Sequence, residues 1–146
     1  MRVIAVFEGL WPIKNRCNLI GITLIATMTI DFKNNRIYHF DREMKFKEHK
    51  PISTEFREIE VLSDGRILIV EDYYKYKNGV KSNLYCLNQN MEIEWFLPFV
   101  NTIHSDMDNY VGFTTNGNQV FANTFSCFRV EIDTKEGKII NSTFTK

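Results

Sequence analysis

The densest run of chemistry-bearing residues is His104-Ser105-Asp106-Met107-Asp108-Asn109. Two carboxylates at alternate positions, an imidazole before them and an amide after, are donors that a hard divalent cation accepts. An EF-hand loop would continue with another oxygen ligand and a later glycine, whereas Tyr110 and Gly112 follow here. A polar loop between structural units is therefore expected, and a small metal-dependent hydrolase using His104, Asp106 and Asp108 is the alternative.

Other catalytic patterns are missing. There is no G-x-S-x-G nucleophile elbow and no phosphate-cradling glycine loop. The histidines, His39, His49 and His104, are scattered along the chain. Cys17, Cys86 and Cys127 are odd in number, far apart and without CxxC spacing, so neither a zinc site nor a disulfide framework is signalled and reduced, packed thiols are expected. Glu8, Asp31, Glu71 and Asp72 could pair as acid and base, yet a turn or solvent-face role accounts for each. No catalytic residue, metal or cofactor is assigned, and a non-catalytic role is expected.

A binding surface is better supported. In EDYYKYKNGVK (71–81), Tyr73, Tyr74 and Tyr76 are interleaved with Lys75 and Lys77 just after a strong strand pattern. Tyrosine offers large contact area at low entropy cost, which is why interfaces favour it. The competing reading has Tyr74 and Tyr76 packed on one strand face with the lysines guarding an edge. A stacking platform for single-stranded nucleic acid would look alike locally, but Glu71 and Asp72 oppose it.

Composition narrows the class further. The chain of 146 residues is 44% apolar and 14% aromatic, enough for a real core in a single domain spanning 1–146. Lys plus Arg balances Asp plus Glu at 18 each, so no global field gathers nucleic acid or an anionic membrane. Residues 1–57 hold ten basic and six acidic side chains, and 58–146 hold eight and twelve. That asymmetry, fed mainly by DREMKFKEHK (41–50), suits a solvated face or electrostatic pairing. MRVIAVFEGLW is interrupted by Glu8 and lacks a leader's apolar centre, and LIGITLIATMTI (19–30) is about half the length of a membrane helix. A cytoplasmic protein is expected, with a protein partner and without nucleic acid or membrane.

Strand formers dominate, and turn signals recur at short intervals. Strands are expected at 2–7, 19–30 and 36–40, followed by a loop over 42–56 with a short strand at 44–46. Hairpins are then expected at 57–62/66–74 around Asp64-Gly65, 83–88/92–97, 109–115/118–125 around Asn116-Gly117, and 127–133/138–144. Such short turns imply antiparallel neighbours. One phrase recurs: Ile30-Asp31-Phe32-Lys33-Asn34-Asn35-Arg36-Ile37 against Ile132-Asp133-Thr134-Lys135-Glu136-Gly137-Lys138-Ile139, with a looser copy at Leu87–Ile93. Asp or Asn can cap the reversal and Asn or Gly can take the left-handed position. The expected fold is all-β, built of antiparallel meander repeats in about three four-stranded units near 1–50, 57–99 and 107–146.

Over about residues 57–146 the chain resembles propeller blades of the quinoprotein type, whose blade ends run apolar-x-apolar-Asp-x-x-x-Gly-Lys-apolar-x-Trp. Tyr85, Leu87, Asn88, Ile93 and Trp95 stand at comparable places in SNLYCLNQNMEIEWF, as do Val130, Ile132, Asp133, Gly137, Lys138 and Ile139 in FRVEIDTKEGKII. The resemblance implies blade-like units. Three are fewer than a usual ring holds, so an open or collapsed stack, or a homo-oligomer that completes the ring, is implied. No cofactor-binding set is matched. The functional expectation is a non-catalytic protein-binding module, such as a dedicated inhibitor or an immunity or counter-defence protein that occludes its partner. A self-associating structural subunit is a further alternative.

Overall fold

A computed structural model describes residues 2–6, 27–31, 34–40, 45–79, 81–100 and 108–145. They form twelve strands in three four-stranded sheets, each a meander with neighbouring strands antiparallel. The first sheet contains β1 Arg2–Val6, β2 Thr27–Asp31, β3 Arg36–Phe40 and β4 Phe46–His49. The second contains β5 Phe56–Val61, β6 Ile67–Glu71, β7 Leu84–Leu87 and β8 Ile93–Phe96. The third contains β9 Tyr110–Asn116, β10 Gln119–Thr124, β11 Phe128–Asp133 and β12 Lys138–Phe144. The all-β architecture and the three four-stranded units are those expected from the turn spacing.

The second sheet lies inside the stack. Ile67, Ile69, Tyr85 and Leu87 join Ile37, Phe56 and Met91 in one core, while Leu68, Val70, Leu84 and Cys86 join Tyr110, Val120, Ala122, Val130 and Ile132 in another. Adjacent strand residues point to opposite faces, so covering both faces buries every residue of β6 and β7. This is why ILIV and LYCL are continuous apolar runs, in contrast to the alternation of a half-exposed strand. Each such aliphatic side chain contributes about 1.5–3 kcal/mol on burial. Burial in the second core also pushes the Cys86 thiol up to about 12, which keeps it protonated and inert.

The third sheet alternates instead. Val120, Ala122 and Thr124 of β10 face the core, and their neighbours Gln119, Phe121 and Asn123 face outward. The cross-strand partners on that outer face are Thr114, Arg129, Glu131, Asn141 and Thr143. Its one large apolar ring, Phe121, lies under the Arg129 guanidinium at 4.6 Å. A polar outer face of this kind ends a stack of repeats in water.

Three local expectations are corrected. The short strand expected at 44–46 lies at Phe46–His49, where it pairs with β3. The strand expected to run to Tyr74 stops at Glu71, where the Asp72 carboxylate accepts from the Tyr74 amide at 2.8 Å and turns the chain. The recurring phrase is also not reused at equivalent places. Its first copy joins the second and third strands of a unit, whereas Asp133–Lys138 and Asn88–Glu92 join the third and fourth. The common element is the turn chemistry: Asn35, Met91 and Gly137 are left-handed, with φ of 54°, 65° and 65°. Within β8, Ile93 and Trp95 are two residues apart yet do not share a face. A bulge pairs Leu87 with Ile93 but Cys86 with Trp95, so Ile93 shares the face of Leu87, where it is partly exposed, while Trp95 lies against the core of the second and third sheets.

Candidate functional site

The aromatic and basic residues after β6 are held by a buried carboxyl. Glu71 ends the run Ile67–Glu71 and keeps its parity, so its side chain follows Ile67 and Ile69 inward and is 0% exposed. Oε1 accepts from the Ile52 amide at 2.6 Å and from the Tyr85 hydroxyl at 2.8 Å. Oε2 accepts from the Ser53 and Thr54 amides at 3.0 and 2.9 Å. Three successive backbone N–H groups of the segment linking the first two sheets thus converge on one carboxyl, an anion-holding arrangement. The solvent-face role expected of Glu71 is therefore corrected, and Asp72 is no acid–base partner. Asp72 instead faces Arg57, 3.6 Å away, and accepts from the Tyr74 amide at 2.8 Å.

The network extends to the first sheet. Tyr85 gives its proton to Glu71, so its oxygen is the acceptor for His49 Nε2, 3.0 Å away, which assigns the Nε2–H tautomer to His49. Burial raises the Tyr85 hydroxyl far above its ordinary range, and the adjacent Glu71 adds to this. Burial also lowers the His49 imidazole below 6.5, against an opposing pull from Glu71. A base whose folded pKa is lowered binds its proton more readily in the unfolded chain, so stability falls as pH drops from 6.5 toward the folded value. Urea midpoints at pH 7.5 and pH 5 are therefore expected to fall further for the wild type than for His49→Gln, which keeps a donor to Tyr85 but does not titrate. Equal falls in the two proteins would contradict this role for His49.

Above this anchor the five expected partner-binding residues separate. Tyr76 is only 6% exposed, and burial pushes its hydroxyl up to about 12. Lys75, left-handed at φ 69°, redirects the chain between Tyr74 and Tyr76, so the two rings do not share a strand face. Tyr76 is thereby corrected from a surface contact to an anchor of the loop. Lys77 is exposed and its amide donates to Ser53 Oγ at 3.0 Å. Tyr74 is 70% exposed, with the Lys75 ammonium 5.7 Å from its ring centre. Tyr73 stands 5.6 Å from Phe125, itself 68% exposed, and the Arg57 guanidinium lies 5.2 Å over Tyr73. The resulting surface combines Tyr73, Tyr74 and Lys75 with Arg57 and Phe125. No family model matches this chain, and no curated protein does either.

Arg57 and Phe125 were not legible as partners of the tyrosines, because they arrive from β5 and from the β10–β11 turn. In the candidate metal cluster, His104 and Asp106 lie outside the described residues. Asp108 is buried, and its Oδ1 accepts from the Ser126 amide at 2.9 Å, which ties it to the turn carrying Phe125. Among the described residues no group of three or more His, Cys, Asp or Glu side chains could hold a metal ion. Also among them, no helix is long and apolar enough to cross a membrane.

Proposed function

We propose that this chain is a cytoplasmic, non-catalytic protein-binding module that occludes a partner's surface, as dedicated inhibitors and immunity or counter-defence proteins do. The observation that carries this reading is the aromatic and cationic surface of Tyr73, Tyr74, Phe125, Arg57 and Lys75. Exposed aromatic rings need ordering before they can anchor an interface, and here the buried Glu71 anchor and the Asp72 cap fix the loop that bears them. Two cations over two rings favour a partner with an apolar recess and an acidic rim.

The units are read as blades of the quinoprotein-like propeller type, assembled as an open stack of three. The support is that Trp95, at the end of the second unit's motif, lies on Gly137 of the third unit's motif. The polar outer face of the third sheet supports an open stack over a closed ring.

The test is affinity capture from the source cell, with the wild type and Tyr74→Ala/Phe125→Ala as parallel baits and mass spectrometry as the readout. A protein retained by the wild type and lost from the double variant is expected, with binding weakened by about 2 kcal/mol or more, as for paired interface anchors. Equal recovery by a folded double variant would remove this surface from the account.

A further inference from the structure

We propose that Asn83 is the positioning residue of the aromatic surface, a buried amide that sets Tyr73 of the second unit against Phe125 of the third; the proposal rests on the binding reading of that surface. Asn83 is fully buried and immediately precedes β7. Its side-chain NH2 donates to the Glu71 carbonyl and to the Tyr110 carbonyl, each at 2.7 Å, and its Oδ1 accepts from the Tyr110 amide at 2.8 Å. Its own carbonyl accepts from the Glu71 amide at 3.0 Å. One side chain thus ties the last residue of β6 to the first residue of β9. Toward Tyr110 it bonds both backbone groups, as a residue of a neighbouring antiparallel strand would.

Each residue held by Asn83 carries one side of the surface. Glu71 leads into Asp72, whose carboxylate accepts from the Tyr74 amide and shapes the turn, so Tyr73 springs from a fixed base. The Tyr110 hydroxyl donates to the Pro98 carbonyl at 2.6 Å, and Tyr110 is paired with Thr124, the residue before Phe125. The Asn109 carbonyl next to it accepts from the Phe125 amide at 3.0 Å. A shift of Glu71 or Tyr110 against Asn83 therefore moves one ring past the other. The site also specifies its residue type. Two carbonyls need two donors and the Tyr110 amide needs an acceptor, a set that a primary amide supplies and a carboxylate, hydroxyl or aliphatic group does not. Glutamine has the same groups but is one methylene longer, which a fully buried site does not accept without strain.

Nuclear Overhauser contacts between rings test this without a partner, so the result stands apart from success or failure of the binding reading. The contact between Tyr73 and Phe125 is followed beside a control inside the second unit, Tyr85 and Phe96, whose ring centres are 5.5 Å apart. The wild type is expected to show both contacts at pH 8.5 and at pH 4.5. Asn83→Ala is expected to keep the Tyr85–Phe96 contact and to lose most of the Tyr73–Phe125 contact. Asn83→Asp keeps the acceptor but sets a carboxylate against two carbonyls at pH 8.5; at pH 4.5 the acid is protonated, can donate one bond again and is expected to regain part of the contact. That recovery also decides the matter if Asn83→Ala does not fold. A folded Asn83→Ala that keeps the Tyr73–Phe125 contact at wild-type strength would overturn the proposal. A folded Asn83→Ala that loses both contacts together would assign Asn83 to stability alone, and an Asn83→Asp contact that does not change between the two pH values would count equally against it.

Discussion

Glu71→Ala is expected to lower the free energy of unfolding by about 3 kcal/mol or more, the range for removing one partner from a buried charged hydrogen-bond network. The substitution leaves the Tyr85 hydroxyl in the core without its acceptor and releases the amides of Ile52, Ser53 and Thr54 together. Ile52 and Ser53 are exposed enough for water to replace part of what they lose, so the penalty is concentrated at Tyr85, which is 0% exposed. Glu71→Gln has nearly the same shape and keeps one acceptor oxygen, but sets an NH2 group against amides that can only donate. It is expected to lose roughly half as much stability. Urea unfolding at neutral pH measures both, and hydrogen exchange at residues 52–54 should quicken in each variant before global unfolding. A Glu71→Ala midpoint within error of wild type would show that the linker is held by other contacts. The same result would remove the account of how the Tyr73–Tyr74 loop is kept rigid.

This prediction marks the limit of what the sequence disclosed. Hairpins around Gly65 and Gly117 and the division into three four-stranded units were legible because turn dipeptides act locally on the backbone. Glu71 was partly legible: a strand buried on both faces keeps its parity to the end, so the residue two places after Ile69 stays inside. The signal was masked because an acidic residue beside Asp72 reads as the start of a solvated loop. The faces of Ile93 and Trp95 were not legible, since a one-residue bulge reverses parity without a marker in composition. Arg57 and Phe125 joined the tyrosine surface through tertiary packing alone. They are 68 residues apart in sequence, and the placing of β5 and β6 beside β9 brings their units together.

The contact between Trp95 and Gly137 can be separated from the ordinary cost of a left-handed residue, because the molecule contains its own control. Gly117 and Gly137 have nearly the same backbone, φ 61° and 65°, each in a turn of the third sheet. A β-carbon built on Gly117 meets nothing within 4 Å, whereas one on Gly137 overlaps the Trp95 indole. Gly117→Ala should therefore lose about 1 kcal/mol, the backbone term alone. Gly137→Ala carries the same term plus displacement of a ring packed against the core of the second and third sheets, and should lose about 3 kcal/mol, the added part matching an overpacked core. The two effects are coupled, and a double-mutant cycle measures that coupling. In a Trp95→Leu background the clash is relieved, and Gly137→Ala should then lose no more than Gly117→Ala does. If the two glycine substitutions differ by less than about 0.5 kcal/mol in the wild-type background, the ring does not bear on the turn. The reading of one unit's motif docking on the next would fall with it. If they differ as expected and the difference vanishes with Trp95→Leu, the glycine serves two ends. It lets the chain reverse, and it leaves room for the tryptophan that joins the second unit to the third.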